Sequence, residues 1–222
     1  MGKAVLITGA RLSYPYLFRP RVGKNNQAGK FGCVLIVPKG SPCLTNLATA
    51  MREVAIEKWR ERGHQMFEAI AAQDMLCMRD GDRKYNKDGS KADEYVGSMY
   101  ISANSSNPPA VTGPDNVQLA ESSGKPYAGC YVDAVVGVWA QENENGLRLN
   151  AEIRVVQFMR DGDAFTGSGA PASPDEIAAL KAGTVPQAAP APLAPPAMPT
   201  VPWTPAGGPI APPPLPPLSS LV

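Results

Sequence analysis

A mainly β fold is predicted: a small five-stranded barrel with one long inserted helix, followed by an extended tail. Three observations lead there. Residues 131–139 alternate, with Val132, Ala134, Val136 and Val138 on one side and Tyr131, Asp133, Val135, Gly137 and Trp139 on the other, the period of two of a half-buried strand. Leu149, Ala151, Ile153 and Val155 alternate in the same way with Asn150, Glu152, Arg154 and Val156, and the polar stretch Gln141–Gly146 between the two runs ends in Asn-Gly, so the pair reads as a β-hairpin. The composition then changes near Gly167-Ser168-Gly169: eight prolines precede that point, and the remaining 16 of 24 crowd into the last 54 residues.

Further strands are expected at Ala4–Thr8, Phe31–Val37 and Tyr95–Ala103. A helix is expected from about Leu44 to Ala71, with Leu47, Met51, Val54, Ala55 and Trp59 on one stripe and an interruption at Gly63. Several strands with a single helix suit a closed or partly closed barrel, and the OB fold is the commonest such design with a nucleic-acid role. Residues 1–168 are therefore expected to form one domain. Residues 169–222 are expected to be a disordered proline/alanine-rich tail, because proline lacks an amide hydrogen and fixes φ. A helical turn is expected first at Ser173-Pro174-Asp175-Glu176, which has an N-cap, a first-turn proline and two acids.

Composition excludes several classes. No apolar run approaches the ~20 residues of a membrane span. Ala4-Val5-Leu6-Ile7 is too short for a signal-peptide core, so a cytoplasmic location is expected. Cys33, Cys43, Cys77 and Cys130 form no C-x-x-C pair and read as reduced, buried residues. With His64 the only histidine, a zinc site or a Ser-His or Cys-His catalytic site lacks parts, and no cofactor or metal is expected. Val5-Leu6-Ile7-Thr8-Gly9-Ala10 begins like a dinucleotide-binding turn, but the glycines that admit a pyrophosphate do not follow. Asp80–Lys91 fails the EF-hand spacing, because Lys84 stands at a ligand position. The tail's Pro212-Pro213-Pro214-Leu215-Pro216-Pro217 is like an SH3 ligand without the flanking arginine.

Overall charge is balanced, with 21 Lys+Arg against 20 Asp+Glu, but its distribution is not. The first 52 residues carry eight cations and no acid, whereas residues 53–168 are net acidic. Aromatic rings interleave with those cations in Arg11-Leu12-Ser13-Tyr14-Pro15-Tyr16-Leu17-Phe18-Arg19-Pro20-Arg21. Single-stranded nucleic acid requires positive charge for phosphates and flat rings for unpaired bases. Arg11, Arg19, Arg21, Lys24 and Lys30 are thus candidate phosphate contacts, and Tyr14, Tyr16 and Phe18 candidate stacking surfaces on a shared face. On composition alone, the same three rings fit equally well as core residues. A charged hairpin around Asp80–Lys91 adds Lys84, Tyr85 and Lys87, and Tyr100 and Trp139 are further candidate rings.

Several segments, in order, resemble phage and prophage single-stranded-DNA-binding proteins with an OB fold. They are Arg11-Leu12-Ser13-Tyr14-Pro15, Lys30-Phe31-Gly32, the turn Pro108-Pro109-Ala110-Val111, Lys125-Pro126-Tyr127-Ala128-Gly129-Cys130-Tyr131-Val132-Asp133-Ala134 with Trp139 beyond it, and Val156–Phe165. The likeness covers most of residues 1–168. It implies binding of single-stranded DNA with little sequence preference during phage replication, recombination or repair, with neither catalysis nor a cofactor. Phage or host replication and recombination proteins are the implied partners, and a homodimer through an exposed barrel edge is left open. The proline-rich tail departs from the acidic tails such proteins often carry, so an alternative is a non-enzymatic scaffold acting through that tail.

Overall fold

A computed structural model describes residues 2–22, 29–86, 89–144 and 146–165. The expected tail, with its helical turn at 173–176, lies outside the described residues. The elements are β1 (Lys3–Arg21), β2 (Lys30–Pro38), α1 (Pro42–Trp59), α2 (Gly63–Ala72), β3 (Met78–Asp80), β4 (Ser98–Ser105), β5 (Ala110–Thr112), β6 (Tyr131–Asn143) and β7 (Gly146–Arg160).

Five strands close into a ring in the order β1, β2, β4, β7, β6 and back to β1. All neighbours are antiparallel except β4 and β7, which run parallel and meet at Ala103 and Ala151. Both alanines are buried, and their small side chains let the two backbones approach at the closing seam. The chain leaving α2 supports the same seam, where Leu149 N–H donates to Met75 O at 3.3 Å and Leu76 bridges to Leu149. β3 extends the sheet beyond β4, and β5 lies parallel to β7. The Pro108-Pro109 turn thus leads directly into a short strand.

Ile7, Leu12, Leu35, Val37, Ile101, Val136, Leu149 and Ile153 fill the interior and are almost wholly removed from solvent. The hairpin is tighter than its polar stretch suggested. Gln141, Glu142 and Asn143 still pair, opposite Arg148, Leu147 and Gly146, so the polar residues extend the strands. The inward phase of β7 also changes partway. A β-bulge between Val135 and Val136 sets Val155 opposite Val135 and Ile153 opposite Val136, and beyond it Val156 and Phe158 are the buried residues rather than Val155.

The expected helix is two helices. α1 begins after Ser41 with Pro42 in its first turn and buries Leu44, Leu47, Met51, Val54 and Ala55. The break falls at Arg60–Arg62, three residues before Gly63, where Arg60 has φ 53°. Gly63 instead opens α2 against α1, where a Cβ would stand 2.4 Å from Ile56 Cα. Tyr95, expected to open β4, lies in a 3₁₀ turn at Asp93–Tyr95. Among the described residues no helix is long and apolar enough to cross a membrane.

Gly63→Val should therefore push α2 off α1 and destabilise the domain by about 2 kcal/mol or more. Urea unfolding monitored by circular dichroism measures this, and an unchanged midpoint would contradict the close helix contact.

Candidate nucleic-acid interface

β1 carries a register irregularity between Ser13 and Tyr16 in its pairing with β2. There Tyr14 takes φ 50°, a backbone region costly for a bulky residue, and Pro15 follows it. The result is that Tyr14 is 53% and Tyr16 39% exposed, while Leu17 beside them is buried. Tyr16 lies opposite Gly32 of β2, which has no side chain to cover the ring. The Arg21 guanidinium stands 6.0 Å from the Tyr16 ring centre, and Arg21 pairs across the strands with exposed Lys30.

A second group runs along one cross-strand row of the sheet: Arg79, Tyr100, Ile36, Arg11, Tyr131 and Arg160 occupy successive paired positions on β3, β4, β2, β1, β6 and β7. At one end of the row Tyr100 is covered by Tyr95, whose ring packs edge-on at 5.5 Å. Tyr95 Oη donates to Ser13 Oγ at 3.1 Å, and burial pushes the Tyr95 phenol up to about 12. The Lys84 ammonium stands 5.3 Å from the Tyr100 ring centre and 5.8 Å from that of Tyr95.

At the other end Tyr131 lies between two guanidinium groups, with Arg160 3.4 Å and Arg11 5.7 Å from its ring centre. Arg11 Nη2 donates to Asp163 O at 2.7 Å, Arg11 Nε to Gly129 O at 3.3 Å, and its guanidinium lies 4.5 Å from the Phe165 ring centre. A cleft of about 290 Å³ opens between these ends, lined in part by Arg11, Ile36, Tyr131, Asp93, Glu94 and Val96.

The segment that carries Tyr95 is fastened by charge. Lys39 Nζ lies 2.7 Å from Asp80 and 2.6 Å from Asp82, while Asp82 also accepts from the Gly97 N–H at 2.8 Å. Hydrogen bonding to the Lys39 ammonium holds both carboxyls below the ordinary aspartate value and raises the lysine in turn.

The shared face expected for Tyr14, Tyr16 and Phe18 is not formed. Phe18 packs against the core cluster, because the chain between Tyr16 and Arg21 again departs from regular pairing. Tyr100 is 9% exposed and sits beneath Tyr95. Trp139 is exposed but lies eight residues along β6 from Tyr131, about 26 Å at the usual rise, so it joins neither group. Tyr85 is exposed and bridges to Lys91. Arg19 pairs with Glu121 at 2.8 Å. Lys24 and Lys87 lie outside the described residues.

The basic start of the chain is also partly neutralised, since Lys3, Arg19 and Lys39 find acids at Glu53, Glu121 and Asp80 with Asp82. Exposed pairs of this kind contribute roughly 0–1 kcal/mol. Tyr95, Tyr131, Arg160 and Phe165 escaped the sequence reading of the site. Tyr131 was legible as an outward residue of its strand, but its place between two arginines depends on cross-strand register. Among the described residues no group of three or more His, Cys, Asp or Glu is placed to hold a metal.

A five-stranded ring with this order, closed by a parallel pair and bearing tyrosines and cations along β1, is an oligonucleotide-binding barrel. Residues 3–183 match the family model described as the single-stranded-DNA-binding protein of Enterobacter phage Enc34, and the chain belongs to that family. It is 34% identical over 168 residues to protein p50 of Acyrthosiphon pisum secondary endosymbiont phage 1, an alignment spanning 74% of this chain and 88% of p50. The solved structure of the Enc34 single-stranded-DNA-binding protein in complex with single-stranded DNA is similar, with TM-score 0.61 and 27% identity, covering 73% of this chain and 89% of that one. A C-terminal truncation of the Enc34 protein matches with TM-score 0.61 and 26% identity, covering 73% of this chain and 88% of that one.

Two measurements check this assignment of roles. Phe18→Ala should cost about 2 kcal/mol or more of stability, whereas Tyr16→Ala should stay within about 1 kcal/mol, both read by urea unfolding. Equal losses would mean that Tyr16 belongs to the core as much as Phe18 does. The second concerns acid. Because Asp80 and Asp82 titrate below the ordinary 3.8 in the folded chain, their contribution is present above that value and is lost as pH falls through the folded-state pKa. Lys39→Met should return both carboxyls toward 3.8 in an NMR titration, with the stability gap to the parent protein closing in acid. Unchanged carboxyl titrations would show that the clamp does not form.

Proposed function

We infer that the chain binds single-stranded DNA stoichiometrically and without catalysis, serving phage DNA replication, recombination or repair. The observation that carries this is the exposed Tyr14–Tyr16 pair. Two rings are held out of the core on β1, beside Arg21 and Lys30, in a barrel of a single-stranded-DNA-binding family. The Enc34 relative solved with single-stranded DNA supports the ligand class.

The chemistry is that of non-specific recognition. Tyr14 and Tyr16 offer π faces on which successive bases stack, each worth roughly 1–3 kcal/mol and tolerant of base identity. Arg21, Lys30, Lys84 and, once released from Glu121, Arg19 neutralise phosphates, with Lys24 and Lys87 as further candidates. Tyr85 is a further exposed ring beside Lys84. Strain at Tyr14 keeps its ring presented before DNA arrives, which reduces the ordering cost of binding. Residues 1–168 are proposed as the DNA-binding domain and 169–222 as an appended tail. The family match, however, runs to residue 183.

Fluorescence anisotropy with a labelled strand of ~30 nucleotides, at two salt concentrations, tests the reading. Affinity should fall steeply with salt, and Tyr14→Ala and Tyr16→Ala should each weaken binding about 5- to 150-fold. Absence of binding at low salt would overturn it.

A further inference from the structure

Resting on the single-strand reading above, we propose that Arg160, laid on the ring of Tyr131, is a phosphate contact that carries the DNA path from β1 across to β6 and β7. Arg11, one of the arginines the sequence offers as a phosphate contact, is a positioning residue.

The argument begins with where each guanidinium spends its donors. Arg11 is half-buried, and its Nε and Nη2 donate to the carbonyl oxygens of Gly129 and Asp163. Those bonds tie the turn before β6 and the strand exit after β7 to the middle of β1. The same corner is closely packed: Gly129 has φ 106°, and a Cβ there would stand 2.1 Å from Asp163 O. Arg11 therefore acts as a pin, with its plane shielded by Phe165 at 4.5 Å.

Arg160 has the opposite disposition. It is exposed, its guanidinium rests 3.4 Å from the Tyr131 ring centre, and no acid pairs with it among the described residues. A guanidinium stacked on a ring keeps its in-plane N–H fork available, the geometry that matches a phosphate. The adjacent acid does not cancel it, because Asp161 is engaged by Lys125 Nζ at 2.9 Å and by Tyr127 Oη at 3.0 Å.

The surroundings also give the subsite a direction. Across Arg11 from Tyr131, the cleft is lined by Asp93 and Glu94. Phosphate is repelled from that side and drawn to Arg160 on the other, so the sugar–phosphate chain crosses the sheet on the Arg160 side of Tyr131.

The test separates charge from scaffold. Arg160→Ala and Arg160→Gln should each leave the melting temperature unchanged. Each should also lower the slope of log K against log salt by about 0.7, the loss of one phosphate contact on a single strand. Arg11→Lys keeps the charge but not the fork, so it should lower the melting temperature and leave the slope as it was. An unaltered slope in both Arg160 variants, with Tyr16→Ala still weakening binding, would overturn the proposal while the function stands. A parent protein that fails to bind single strands would overturn the function itself.

Discussion

Closing only five strands into a ring forces each to coil strongly, and this domain meets that demand with irregularities in pairing. They fall between Ile7 and Ala10, between Ser13 and Tyr16, between Tyr16 and Arg21, between Tyr131 and Val132, and between Val135 and Val136. The parallel seam where Ala103 meets Ala151 is the geometric outcome. Without the bends the sheet would stay open between β4 and β7, each covered on that side only by the short strands β3 and β5.

The same bends expose the tyrosines of β1. Strict alternation on β1 would send neighbouring residues to opposite faces. The irregularity at Tyr14 interrupts that alternation and lets Tyr14 and Tyr16 both emerge while Leu12 and Leu17 stay inside. Curvature and ring exposure are thus one solution to one constraint. The backbone strain at Tyr14 is offset by the cooperative closure of the barrel around it.

Local signals made much of the fold legible. The alternating runs of β6 and β7 and the apolar stripe of α1 each act over a few residues and survive into the structure. What could not be read is what depends on register. Val155 yields to Val156 because of a bulge that leaves Arg154 as an extra residue between the partners of Val135 and Val136, which shows only once the two strands are paired. Phe18 packs against the core although Tyr16 and Arg19 on either side of the Leu17–Phe18 pair face solvent. Arg11 meets Tyr131, and Tyr131 meets Arg160, only because three distant segments align. Charge segregation could not reveal that Lys3, Arg19 and Lys39 would be claimed by acids.

The four cysteines carry a practical consequence. Cys33, Cys43, Cys77 and Cys130 are all buried and free. Desolvation pushes the thiols of Cys33 and Cys77 up to about 12 and that of Cys130 to about 11. At neutral pH the nucleophilic thiolate is therefore scarce as well as shielded. A single cysteine introduced on the exposed surface is then the preferred target of a maleimide dye, with the native thiols left in place. The fold is in this sense already prepared for single-molecule observation on a DNA strand.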